Sequence, residues 1–122
     1  MTIEECYQEI GGSFADVSAR LPSVKLIEKF VEKFLDDQSY TMLCEQMKAG
    51  NRPEAFRAAH TLKGVCANLG FSRLTSSASQ LTEILRPEGE IIPAEAHELL
   101  ETVCEDYQTA VAAIRKYQSE IK

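Results

Sequence analysis

The chain has 122 residues, of which 44 % are hydrophobic and 26 % are charged, and its formal net charge is -6. This length fits one domain, and this balance is typical of a globular protein with a buried core. The acidic charge and the lack of a lysine or arginine cluster argue against a nucleic-acid partner, whose phosphates require basic patches.

No apolar run reaches the roughly 18 to 20 residues that a membrane-spanning helix needs, and the segment Met1 to Glu5 lacks the pattern of a signal peptide. We therefore expect no membrane association and a cytoplasmic location. The cysteines are far apart and form no C-x-x-C pair, which predicts reduced core or surface residues and no zinc site. They are Cys6, Cys44, Cys66 and Cys104.

Apolar residues recur at spacings of three and four along the chain, and no alternating β pattern is present, so an all-α fold is predicted. Residues 1–21 are predicted to form one or two short helices. Thr2 caps the first, which ends at Gly11-Gly12, and Ser13 begins the second.

Residues 22–119 are predicted to form an antiparallel four-helix up-down bundle, because the connections are short. The first long helix has Pro22 in its first turn and is kinked or broken at Asp37-Gln38-Ser39. Its apolar stripe is expected to lie in the core. The stripe comprises Ile27, Phe30, Val31 and Phe34. The other three helices are predicted over 53–69, 72–85 and 93–119. With the short N-terminal helices they are expected to form one self-contained domain over 1–122.

His60 lies in the middle of the predicted helix over 53–69. A rotation of about 100° per residue places Lys63, Gly64 and Ala67 within about 60° of it. Gly64 is unusual there, because glycine costs up to about 1 kcal/mol relative to alanine in a helix interior. The missing side chain leaves room for another protein to reach the imidazole. A neutral imidazole nitrogen is a nucleophile toward activated phosphorus, and the lysine offsets phosphoryl charge, so this face fits transient phosphoryl storage.

The run His60-Thr61-Leu62-Lys63-Gly64, followed by Ala67, Asn68 and Gly70, strongly resembles the motif of histidine-containing phosphotransfer (HPt) domains. The resemblance covers about residues 20 to 118. It implies a four-helix bundle whose exposed histidine exchanges phosphoryl groups with receiver aspartates. It also implies a phosphoryl carrier without a kinase catalytic domain, which needs no cofactor of its own because the receiver holds the Mg²⁺.

On this resemblance, His60 is the phosphoryl acceptor and Lys63 assists it electrostatically. Phe56, Gly64 and Ala67 are expected to form the partner-binding surface. The expected partners are response-regulator receiver domains and a hybrid sensor histidine kinase, and the chain itself is expected to be a monomer.

One position departs from the family pattern. Many members have Gln or Glu 22 residues after the histidine to bond its second ring nitrogen, and this chain has Thr82 there. A threonine side chain is shorter than Gln or Glu, so Thr82 is a weak candidate for the group that orients His60. A water molecule or Glu83 could take this role instead.

Structural alternatives remain open for several of these residues. Lys63 could be an ordinary solvated lysine, Gly64 could allow two helices to pack closely, and Phe56 fits the core as well as a docking rim. His97 lacks comparable neighbours and is expected on the solvated surface. The rival function is a non-catalytic helical adaptor that binds a partner helix or peptide in an apolar groove, with His60 incidental.

Overall fold

The computed structural model describes residues 1–120, which form seven α-helices and no strand. The helices are α1 (Ile3–Ile10), α2 (Phe14–Arg20), α3 (Val24–Phe34), α4 (Ser39–Ala49), α5 (Arg52–Leu69), α6 (Ser72–Leu85) and α7 (Ala94–Glu120). The predicted all-α class is confirmed. Within the described residues, no helix is both long enough and apolar enough to cross a membrane.

Side-chain caps mark the starts of α1, α2, α3 and α5. Thr2 accepts a hydrogen bond from the Glu5 amide at 3.1 Å and forms a capping box with it. Ser23 accepts one from the Leu26 amide at 3.2 Å, so α3 begins at Val24. The prediction that Pro22 lies in the first helical turn is therefore wrong, because the serine that follows it is the cap.

The four C-terminal helices pack as neighbours in sequence: α4 lies against α5, α5 against α6, and α6 against α7, while α1 lies along α7. One core of buried side chains draws residues from all seven helices. Tyr40 of α4 and Tyr107 of α7 stack with their ring centres 3.9 Å apart, which joins the first of these helices to the last. The predicted break near Asp37 is confirmed, because α3 ends at Phe34 and α4 starts at Ser39.

The apolar stripe of α3 is only partly buried. Ile27, Val31 and Phe34 lie in the core, but Phe30 is 39 % exposed, which corrects the expectation that the whole stripe is core. Phe30 instead lines an open apolar cavity of about 380 Å³ between α2, α3 and α5.

The N-terminal helices hold the C-terminal end of α5. The last carbonyl groups of a helix lack partners within it, so other groups must satisfy them. The Tyr7 hydroxyl donates to the Leu69 carbonyl at 2.6 Å, and Arg20 donates to two carbonyls of the last turn at 2.8 and 3.0 Å. The Ser13 amide donates to the Gly70 carbonyl at 2.7 Å. The segment before α3 is thereby attached to the helix that carries His60.

This attachment predicts different costs for two similar substitutions. Gly70 and Gly50 each end a helix in the left-handed region, at φ 74° and 71°. A Cβ at Gly70 would lie 2.7 Å from the Ser13 carbonyl oxygen, whereas one at Gly50 would meet nothing within 4 Å. We expect Gly50→Ala to lose about 1 to 2 kcal/mol of unfolding free energy and Gly70→Ala about 2 to 5 kcal/mol, measured by urea unfolding. Equal losses would contradict the close approach of the two backbones.

Candidate functional site

His60 lies near the middle of α5 and its side chain is exposed. The opposite side of the helix is buried in the core and consists of a stripe of small and medium-sized apolar residues. They are Ala55, Ala58, Ala59, Leu62, Cys66 and Leu69. Because this stripe fixes the rotation of α5, the imidazole points to solvent and is accessible to a second protein.

The structure brings His60, Lys63, Gly64 and Ala67 together on one accessible face. Gly64 and Ala67 are exposed, and Lys63 is partly exposed. A Cβ built at Gly64 meets nothing within 4 Å. No neighbouring helix uses the space left by this glycine, so the close-packing explanation of Gly64 has no support in the fold.

Phe56 lies one turn before His60 and is partly buried against the core. Its ring centre is 6.1 Å from that of His60, with the two planes tilted by 38°. The guanidinium carbon of Arg86 lies 5.5 Å from the centre of the same phenyl ring, at a distance suited to a cation–π interaction. Phe56 therefore packs against the core and is also the neighbour of His60 and Arg86.

Glu83 and Arg86, at the end of α6, form a two-bond ion pair with nitrogen–oxygen distances of 2.7 and 3.2 Å. The hydrogen bonds from Arg86 lower the pKa of Glu83, and the positive charges of Arg86 and Lys63 lower it further. Both members of the pair are more than half exposed, so the pair adds little to stability. The pair keeps a carboxylate and a guanidinium together next to Phe56, the neighbour of His60.

Thr82 lies on α6 at the position predicted to orient His60, but it is completely buried. Its hydroxyl donates to the Ala78 carbonyl at 2.7 Å, within its own helix. Among the hydrogen bonds of residues 1–120, none joins Thr82 to His60. The hydroxyl proton is already used inside α6, whereas Glu83, the next residue, is exposed.

Two cavities flank the accessible face of α5. On the α6 side, Lys63 and Ala67 line a polar cavity of about 470 Å³ together with hydroxyl side chains of α6 and with Asp16 of α2. On the other side, Val65 and Asn68 line the apolar cavity that contains Phe30. The face that carries His60 thus separates a hydroxyl-rich groove from an apolar one.

The remaining candidate groups lie outside this site. His97 is exposed on α7, as predicted, and all four cysteines are free. Burial raises the pKa of Cys6 to about 11 and that of Cys66 to about 12, which keeps both thiols protonated. Residues 1–120 contain no cluster of three or more His, Cys, Asp or Glu side chains suited to a metal ion.

Arg86 is the site residue that the sequence does not reveal on its own, because the segment Arg86-Pro87-Glu88-Gly89 resembles a simple helix stop. A weak signal does exist: Glu83 and Arg86 are three residues apart, a spacing at which charged side chains on a helix meet. That spacing predicts the ion pair, but it does not predict that the Arg86 guanidinium lies over the Phe56 ring.

Comparison with known proteins agrees with this geometry. A family model described as the Hpt domain matches residues 25–116, which is more than half of the chain. Searches of curated proteins and of solved structures each found no match. The matched range contains α5 and α6 and leaves α1 and α2 outside. Hpt domains are helical phosphoryl carriers of two-component phosphorelays that interact with receiver domains and histidine kinases. This chain belongs to the Hpt domain family.

Proposed function

We propose that the chain is a histidine phosphotransfer protein that shuttles a phosphoryl group between receiver-domain aspartates through His60. The observation that carries the proposal is the exposed imidazole in the middle of α5, beside an unoccupied space at Gly64. A nucleophile that serves a large partner must be accessible from outside, and this histidine meets that requirement.

The transfer is a displacement at phosphorus. A neutral imidazole nitrogen of His60 attacks the phosphoryl group of a receiver phosphoaspartate, the phosphorus–nitrogen bond forms, and the bond to the aspartate oxygen breaks to leave a carboxylate. The second ring nitrogen keeps its proton. The reverse reaction passes the group to the next receiver. No cofactor is proposed for this chain, and Mg²⁺ belongs to the receiver.

The cations Lys63 and Arg86 are proposed to offset the charge of the phosphoryl group. Lys63 lies on the same helix face as His60, and Arg86 lies over Phe56 with its guanidinium fixed by Glu83. An arginine held in a defined orientation can form paired hydrogen bonds with a phosphoryl group, whereas lysine acts as a point charge. Arg86 therefore provides directed hydrogen bonds and Lys63 general attraction.

The apolar cavity beside α5 is proposed as the adjoining contact surface for the receiver. Phe30 is exposed there and Val65 lines the same cavity, so a docked partner would bury apolar area next to the reacting histidine. This cavity is also the feature that favours the adaptor alternative. The cavity lies next to the His60 face, so the simpler explanation is that a single partner contacts both the cavity and His60.

The proposed framework is a monomeric single domain in which α4 to α7 form an antiparallel up-down bundle. Packing between consecutive helices and the short turns before and after α5 support this arrangement. The proposed partners are response-regulator receivers and a hybrid sensor histidine kinase.

His60→Gln is expected to abolish phosphoryl acceptance from a phosphorylated receiver. The variant should keep its unfolding free energy within about 0.5 kcal/mol, because an exposed helix position tolerates a polar helix former. Transfer of a radioactive phosphoryl group measures the first effect, and thermal unfolding the second. His97→Gln is the matched control and should accept label normally. Label on His60→Gln would place the acceptor elsewhere and contradict the proposal.

Lys63→Ala is expected to slow transfer by about two- to fivefold without abolishing it, which is the scale of one partly screened ionic contact. The effect should shrink as salt increases, because salt screens exposed charges. Stopped transfer assays at low and high ionic strength measure it, with Lys48→Ala on α4 as the control. A Lys63→Ala rate equal to that of the parent at low salt would remove Lys63 from the mechanism.

Gly64→Gln is expected to raise the unfolding free energy by up to about 1 kcal/mol, because the site is open and glutamine is the better helix former. Transfer should nonetheless fall steeply, since the new side chain fills the space beside the imidazole. Ala112→Gln adds the same side chain to an exposed position of α7 and should transfer normally. Normal transfer by Gly64→Gln would refute the access role of Gly64.

A further inference from the structure

Arg52, the first residue of α5, directs its whole guanidinium group at the end of α6. It donates hydrogen bonds to the carbonyls of Ile84 at 3.2 Å, Leu85 at 3.3 Å, Arg86 at 2.8 Å and Ile91 at 2.9 Å. Within residues 1–120 it forms no ion pair. All of these hydrogen bonds therefore go to backbone carbonyls of the segment 84–91.

This stretch is where the chain leaves α6. Arg86 has an extended ψ of 127° and Pro87 follows it, so the helix cannot continue and its last carbonyls lack helical partners. Arg52 satisfies them and also ties the following loop at Ile91. Because it binds the carbonyl of Arg86 itself, it fixes the backbone from which the Arg86 side chain extends.

Helix α5 holds Arg86 at two points. Arg52 and Phe56 are four residues apart on the same side of α5, and His60 follows Phe56 at the same spacing. Arg52 binds the Arg86 backbone and the Phe56 ring lies under the Arg86 guanidinium. One side of α5 thus carries Arg52, which binds the Arg86 backbone, Phe56, which packs against the Arg86 guanidinium, and His60, the proposed acceptor. Arg52 lies about 12 Å from His60 along the axis, too far to act on it directly.

We infer that Arg52 is a positioning residue of the His60 site. It places the Arg86 guanidinium where that group can reach the phosphoryl group, and Arg52 itself does not touch the phosphoryl group. Its kinetic consequence rests on the proposed phosphotransfer function. Its structural consequence does not, because the placement of Arg86 can be observed in the unphosphorylated protein.

The structural test is the NMR signal of the Arg86 Nε–H group, assigned by its loss in Arg86→Gln. This group donates to Glu83 at 2.7 Å, and the guanidinium lies over the Phe56 ring, so its signal should differ from that of a solvated arginine. Arg52→Gln and Arg52→Lys should both shift it toward the solvated position, since lysine keeps the charge but cannot bond four carbonyls. Arg20→Gln is the matched control. It removes an arginine that caps the far end of α5 and should leave the Arg86 signal unchanged.

The kinetic test is a double-mutant cycle on phosphoryl transfer. Arg86→Gln and Arg52→Gln should each slow transfer by about two- to fivefold, the scale of one exposed ionic contact. The double variant should be no slower than Arg86→Gln alone, because Arg52 acts through Arg86. Arg52→Lys should show the same slowing with a smaller loss of melting temperature, which separates positioning from general destabilisation.

An unshifted Arg86 signal in both Arg52 variants, or single effects that multiply in the double variant, would overturn the inference. Failure of the parent protein to accept any phosphoryl group would instead overturn the proposed function. In that case the NMR comparison alone decides whether Arg52 positions Arg86.

Discussion

Hydrogen bonding at the C-terminal end of α5 is the constraint on which the rest of the structure depends. The carbonyls of residues 67 to 70 receive donors from Arg20, Tyr7 and Ser13, all of which precede the range matched by the family model. These bonds join the N-terminal helices to the helix that carries His60. A helix held at its end and along its buried stripe turns the same residues toward solvent, so the backbone of α5 fixes the surface position of His60.

The site is built on the opposite principle from a buried catalytic centre. The proposed nucleophile, His60, is exposed, and the charges near it are placed by hydrogen bonds, with Glu83 holding Arg86 and Arg52 holding the backbone of Arg86. Exposed charges interact weakly and are screened by salt, so under the proposed function such a site would bind and release a phosphoryl group without trapping it. This suits a carrier that must pass the group to a second protein. Under the proposed function, the open space at Gly64 serves the same purpose, because a Cβ there would meet nothing within 4 Å.

Sequence periodicity and capping residues were sufficient to predict the helices and the face of α5 that carries His60, because both depend on local spacing. Long-range contacts decided the rest. Phe30 is exposed because α2, α3 and α5 leave an open cavity at that point. The start of α3 is the exception, since it is set locally by the Ser23 cap rather than by Pro22. The direction of Arg86 toward Phe56 depends on four backbone bonds from Arg52, a residue 34 positions earlier, and no local pattern encodes it.

Mass spectrometry of the tryptic peptide that spans residues 58–63 tests the central claim most directly. After incubation of the chain with a phosphorylated receiver, the account predicts one phosphoryl group on this peptide, lost in mild acid and stable in base, as expected for phosphohistidine. Within the peptide only Thr61 competes with His60, and a threonine ester would survive acid. A phosphoryl group found instead on the peptide with His97, or an acid-stable one at residues 58–63, would contradict the assignment of His60 as the carrier.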